Sequence, residues 1–279
     1  MSQHEAIEAL NSCIFDPPLT KKKAIALWKE YRAKVEALEL RNPPYPSPVP
    51  LTEAEQAAAN AHAERVKAGP NGKYLSAVIK VNPAEVLAHQ FYVITERAED
   101  YGRQMRDDTV RINHCLGVGL EFRGQLIPRR VGPSRVIVDL PHAEFVVIPT
   151  ATGVNFQERD RYITAVPTPS GSRLVLWAGY HRSYALLDLC QTGGEAAGAA
   201  PLVTVMTGIP EVTGFFAPSS KRAVARDAVL GDRPALLRDF FDPDLFISVN
   251  LRKKRAQGRI DQVKPNKFRA SVFQVDHGS

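Results

Sequence analysis

Strand-forming segments recur along the chain from about residue 75 to 180, and this rhythm narrows the choice of fold more than any other feature. LSAVIKV (75–81), RVIVDL (135–140), AEFVVIPT (143–150), RYITAVPT (161–168), RLVLWAGY (173–180) and PLVTVMTG (201–208) are each rich in β-branched or apolar residues and bounded by Gly, Pro or polar turns. VGLEFRGQLIPRRV (118–131) reads as a hairpin with Gly124 at its turn, and Pro169-Ser170-Gly171-Ser172 joins two further strands. Helical patterns are interspersed with these strands and also precede them, so the expected class is α+β, with a mixed or antiparallel sheet body.

The first 72 residues read differently, as a helical arm. Residues 3–13 suit a short helix that Asp16-Pro17-Pro18 ends. Thr20 is placed to cap a second helix, whose apolar positions Ile25, Trp28, Val35 and Leu38 repeat one face until Asn42-Pro43. PPYPSPVP (43–50) has five prolines in eight positions, which favours an extended polyproline linker. Thr52 followed by Glu55 is a capping box that opens an alanine-rich helix, and Gly69-Pro70-Asn71-Gly72 closes it. The expected organisation is therefore arm 1–72, with its linker at 43–50, and an α+β body at 73–279.

In the body, PAEVLAHQ (83–90) suits a short helix, and FYVITERAEDYGRQM (91–105) turns from β-branched residues to helical ones. Small helices divided by Gly231 and Pro234 precede a strand LFISVNL (245–251), and the tail 252–276 suits one or two edge strands.

Composition excludes several classes. With 44% hydrophobic and 24% charged residues, a chain of 279 can bury a core without staples. No stretch approaches the roughly 20 apolar residues of a spanning helix, and the polar start MSQHEAIEAL is unlike a secretory signal. Cys13, Cys115 and Cys190 are distant and odd in number, which argues for a reducing cytoplasm and against a disulfide framework. No Walker A loop, GxGxxG, HExxH or GxSxG motif occurs. His89, His114 and His142 lack metal-ligand spacing, so no metal site is assigned. The carboxylates Glu96, Glu99, Asp100, Asp107 and Asp108 read as a solvated helical face; binding a metal for an unrecognised enzymatic activity is the lesser alternative.

Charge is uneven. The first 220 residues hold 23 Lys/Arg and 23 Asp/Glu, whereas the last 59 hold 13 against 7, so the net charge of +6 lies at the C-terminus. Within the segment 250–279, Arg252, Lys253, Lys254, Arg255, Arg259, Lys264 and Lys267, together with Arg269, are candidates for contacting the phosphates of a nucleic acid. Phe268 and Phe273 are candidates for stacking on its bases. Arg129-Arg130 reads as the polar face of a hairpin.

One local constellation suggests chemistry. The strand RLVLWA is followed by Gly179-Tyr180-His181-Arg182, a helix and the strand PLVTVMT. A glycine there lets the chain turn sharply, and the amides after it open a helix, where an anion is favoured. An Arg at that terminus opposes the helix dipole unless an anion offsets it. This strand-turn-helix-strand unit, with Ala185 three residues after Arg182, resembles the ParB/sulfiredoxin superfamily over about residues 173–207. The resemblance implies a ParB-like module near 135–210, with Gly179, Tyr180, His181 and Arg182 forming a nucleotide or phosphate site. It suggests a nucleoside triphosphate with Mg2+ as the ligand, and nucleotide hydrolysis or phosphoryl transfer as the reaction if there is one. It also implies work on or beside nucleic acid, in a phage or mobile element. Tyr180 stands where sulfiredoxins carry their reactive Cys, which argues against thiol repair. The competing expectation is a non-catalytic assembly protein that clasps partners, or copies of itself, through the helical arm.

Overall fold

The computed structural model describes residues 20–38, 42–89, 93, 95–118, 128–132, 135–140, 145–150, 153–158, 162–192, 200–218, 223–242, 244–245, 254–264 and 267–276. Among them are seven α-helices, a five-stranded mixed sheet, a four-stranded antiparallel sheet and a two-stranded hairpin. The α+β expectation therefore holds. The contacts divide the chain into two compact units: residues 20–120 with 161–248, and residues 121–160 with 249–279. This differs from a boundary at 72. The arm's second helix belongs to the first unit, and the expected 135–210 module is shared between the two.

In the first unit, α1 (Lys21–Glu36) starts where Thr20 Oγ1 accepts a bond from Lys23 N at 3.3 Å. The proline run follows and is held on the sheet, with Val49 N donating to Lys80 O at 2.7 Å. In α2 (Glu53–Ala68) the capping box is complete: Thr52 Oγ1 accepts from Glu55 N, and Glu55 Oε2 accepts from Thr52 N. β1 (Leu75–Lys80) follows as expected. PAEVLAHQ does not form a helix. Asn82 caps a single 3-10 turn at Pro83–Glu85, and the apolar Leu87–Ala88 that follow become β2, buried and paired in parallel with Val175–Leu176.

Next come α3 (Thr95–Gln104) and α4 (Asp108–Leu116). The latter was not legible beforehand, although Asp107 caps it by accepting from Val110 N at 3.0 Å and Gly117, at φ 66°, ends it. β7 (Thr164–Pro167), β8 (Leu174–Ala178), α5 (Tyr180–Thr192) and β9 (Leu202–Met206) follow. α6 (Pro210–Phe216), α7 (Ala223–Leu230) and a 3-10 turn at Leu237–Phe241 complete the unit.

The sheet order is β1-β9-β7-β8-β2. β8 alternates in the way a strand covered on both faces must. Leu174 and Leu176 join a core with Ala185, Leu186 and Leu187 of α5, while Val175 and Trp177 join one with Val212 and Phe215 of α6 and Val229 of α7. β7 runs antiparallel to β8 but parallel to β9. The crossover through α5 therefore joins strands of opposite direction and is not a parallel βαβ unit.

The second unit contains the antiparallel sheet β3 (Pro128–Gly132), β4 (Arg135–Leu140), β10 (Lys254–Lys264) and β11 (Lys267–Asp276), in the order β11-β10-β4-β3. The hairpin β5 (Phe145–Thr150) and β6 (Gly153–Glu158) belongs to the same unit. The C-terminal tail is thus a long hairpin, but only β11 is an edge strand. β10 is central, because β4 pairs with it from Ala256 to Asp261. The expected turn at Gly124 and, beyond Leu245, the expected strand at 245–251 lie outside the described residues.

Candidate functional site

The GYHR turn is built inward. Gly179 has φ 90°, a conformation that L side chains rarely adopt, and a Cβ there would lie 2.9 Å from Ile163 Cγ1. The glycine is thus required by close approach to Ile163, the residue before β7. Tyr180 is buried at 3% exposure. Its hydroxyl accepts from His89 N at 2.7 Å and donates to Leu176 O at 2.5 Å, and it lies 2.6 Å from His89 Nδ1. Nδ1 is also 2.9 Å from Leu176 O. A carbonyl can only accept, so the arrangement is satisfied by the imidazole tautomer protonated at Nδ1. The His89 ring stacks on Trp177, with centroids 4.6 Å apart, and meets Phe215 edge-on. His89, which has no sequence signal as a ligand, is in this way a fastener between β2 and β8.

Arg182 is also buried, at 7% exposure, and its guanidinium donates to His114 O at 2.5 Å in the last turn of α4. A cation among the last carbonyls of a helix satisfies orphan acceptors and suits the negative dipole end. Arg65 does the same for that helix through Leu116 O. Arg173 donates to Val229 O at 3.0 Å and Gly231 O at 2.9 Å at the end of α7, and to Asn42 on its other side. The fork of donors read as phosphate-directed is therefore spent on a helix terminus. Of the four GYHR residues, Tyr180 and Arg182 are packed into the core, while Gly179 and His181 are half-buried.

At the other side of the sheet, Glu55 Oε1 meets Lys80 Nζ of β1 at 2.8 Å, with side chains 6% and 5% exposed. Burial raises the Glu55 carboxyl, but the Lys80 ammonium and the Thr52 amide outweigh it and hold the group below its ordinary range. His62 is buried, with Arg65 donating to Nδ1 at 2.8 Å, so Nε2 carries the proton and donates to Thr204 Oγ1 at 2.9 Å. Burial, reinforced by the Arg65 charge, pushes its pKa down to about 4. The Cys115 thiol is pushed up to about 11 by burial.

The acidic run has structural work. Asp107 caps α4, Asp108 pairs with Arg111 and Asp100 with Arg103. Among the described residues, no group of three or more His, Cys, Asp or Glu is placed to hold a metal ion, and no helix is long and apolar enough to cross a membrane. A cleft of about 420 Å3 at the carboxyl ends of β7 and β9 is lined mainly by apolar residues, among them Val166, Met206, Val212 and Phe216. A groove of about 280 Å3 between α3 and α5 mixes Glu99 and Asp188 with Arg103 and Arg106. Neither converges reactive groups.

The second unit carries a different arrangement. Directly opposed residues of antiparallel strands share a face, and the face repeats every second residue. Arg255, Gln257, Arg259 and Asp261 of β10 oppose Val275, Phe273, Ser271 and Arg269 of β11. On the other side of β10, Asp139, Ile137 and Arg135 of β4 oppose Gln257, Arg259 and Asp261, and Arg129 of β3 opposes Ile137. One face thus collects five arginines (129, 135, 255, 259 and 269) and two aspartates. On that face Arg129, Arg135 and Asp139 are exposed. The opposite face carries Val136, Val138, Ile260 and Val272, and Val138 is buried at 4% exposure.

Of the candidate phosphate contacts, Arg255 and Arg259 lie on the arginine face, Lys254 lies on the other face opposite Asp276, and Lys264 opposes Lys267 at the hairpin end. Arg252 and Lys253 lie outside the described residues. Arg129 and Arg135 were missed as contacts; period-two alternation in RVIVDL, extended to PRRVG, is the signal that points to them.

The fold and these sites define an α+β protein with an inward-turned GYHR junction and an arginine-bearing sheet. No family model, no curated protein and no solved structure matches the chain.

Proposed function

We propose that the protein binds nucleic acid through the arginine-bearing face of the β3-β4-β10-β11 sheet. The observation that carries this reading is the register, which places five arginines from four strands on one face of the sheet, where Arg129 and Arg135 are exposed. Guanidinium groups arrayed on a rigid sheet suit phosphate oxygens, and counterion release supplies the affinity. Lys264 directly opposite Lys267 supports the same reading: like charges at that spacing repel, and a polyanion relieves the repulsion. The nucleotide half of the sequence expectation is set aside because Arg182 and Tyr180 are committed to the core. The arm is set aside as a clasp because α2 buries its inner face on its own sheet, with Glu55 on Lys80 and His62 on Thr204.

The test is fluorescence anisotropy of a labelled oligonucleotide across a salt series. Log affinity is expected to fall linearly with log salt, and the double variant Arg255→Glu/Arg259→Glu is expected to lose binding while keeping its circular dichroism. Unchanged binding by that variant overturns the proposal.

A further inference from the structure

We infer that the cleft at the carboxyl ends of β7 and β9 binds an uncharged small molecule with an apolar body and one hydrogen-bonding end. The cleft lies within the first unit, so this site is independent of the nucleic-acid reading. β7 and β9 are parallel neighbours, but the chain leaves them in different directions. Beyond Pro167 it turns back through Pro169–Ser172 into β8, and beyond Met206 it turns at Gly208, φ 72°, into α6. A crevice outside the carboxyl ends of parallel strands, where their connections part, is the usual ligand position in open sheets with helical connections. Nothing lies within 4 Å of where a Gly208 Cβ would stand, so the rim is open there.

The lining selects the ligand. Charged residues make up 24% of the chain, yet none lines this cleft. Val166, Met206 and Val212 are buried in its wall, and the half-buried Phe216 is held edge-on by Phe215 with centroids 5.0 Å apart. An ionised group entering it would lose water and find no opposite charge, whereas apolar surface gains by leaving water. The volume, about 420 Å3, falls within the roughly 300 to 1,000 Å3 of small-molecule sites. Polar contacts are confined to hydroxyls, with Thr207 and Thr213 both exposed. Thr213 Oγ1 already donates to Ile209 O at 3.1 Å, so towards a ligand it can only accept. The polar end of the ligand is therefore a donor, and an alcohol suits it.

The experiment titrates N-phenyl-1-naphthylamine, an uncharged dye that fluoresces in apolar surroundings, into the full chain. Saturable enhancement with one site per chain is expected. Octan-1-ol is expected to displace the dye, whereas octanoate and octylammonium, which pair a similar chain with opposite charges, should need at least about tenfold more. Thr213→Trp fills the mouth from α6 and is expected to weaken dye affinity at least about tenfold, with an unchanged melting temperature. Thr207→Trp does the same from β9 and keeps the test decisive if the first variant disturbs α6. No saturable enhancement, an affinity that neither variant moves, or displacement by either ion as readily as by octanol overturns the inference.

Discussion

The two units use cations in opposite ways. In the first, Lys80, Arg111, Arg173 and Arg182 are each less than a tenth exposed. They are spent on a carboxylate or on the carbonyls that end α4 and α7. In the second, Arg255 and Arg259, four residues apart on β10, share one face with arginines of the other three strands. A basic residue thus says little about a ligand until the fold shows whether it is buried on the chain's own carbonyls and carboxylates. GYHR looks like an anion site in one dimension, yet in three dimensions its guanidinium ends a helix and its tyrosine fastens His89.

The contrast has consequences that can be measured. Glu55→Ala leaves the Lys80 ammonium buried without its partner and removes a cap bond, so equilibrium denaturation is expected to show a loss of about 4 kcal/mol. A loss under 1 kcal/mol contradicts the buried pair. Lowering the pH acts next. His62 stays neutral in the folded chain down to about 4, whereas the unfolded chain takes up a proton below about 6.5. Its contribution is therefore complete above about pH 6.5 and is lost as pH falls towards 4, a change of about 3 kcal/mol. His62→Gln should flatten that part of the stability profile, and an unchanged profile refutes the assignment.

Arg182→Ala strips a donor from the end of α4 and is expected to cost about 2 kcal/mol. It should leave the affinity of the second unit for an oligonucleotide unaltered. A thermal upshift with CTP or inorganic phosphate, abolished by this variant, would instead restore the phosphate role of the turn. Arg259→Ala reverses the pattern. Stability is expected to change by no more than about 0.5 kcal/mol, while the salt slope on a single strand falls by about 0.7. A slope that does not move removes Arg259 from the interface.

Much of the fold was legible because its cues are local. Thr52 and Glu55 lie three residues apart, and their bonds form within one turn whatever surrounds them. The unbroken apolar run of RLVLWA and the break at Pro169–Ser172 are likewise local, and so is the basic excess after residue 220. PAEVLAHQ misled for a physical reason: its residues favour helix, but pairing Leu87–Ala88 with β8 buries both, and that tertiary gain overrides a local preference. α4 was missed although Asp107 and Gly117 mark its ends, because its interior, DTVRINHCL, shows no clear apolar face until neighbours bury Arg111 and His114.

The site was less legible than the fold. Arg255 and Arg259 stood out by charge, but Arg129 and Arg135 joined them only through pairing across more than a hundred residues of chain. Local rules of capping, alternation and turn chemistry set which segments became helix or strand, since those free energies depend on near neighbours. Which cations turned inward and which shared a face depended on strand order and register, because hydrogen bonding to a distant carbonyl or pairing with a distant strand is a choice made only when the chain has closed on itself.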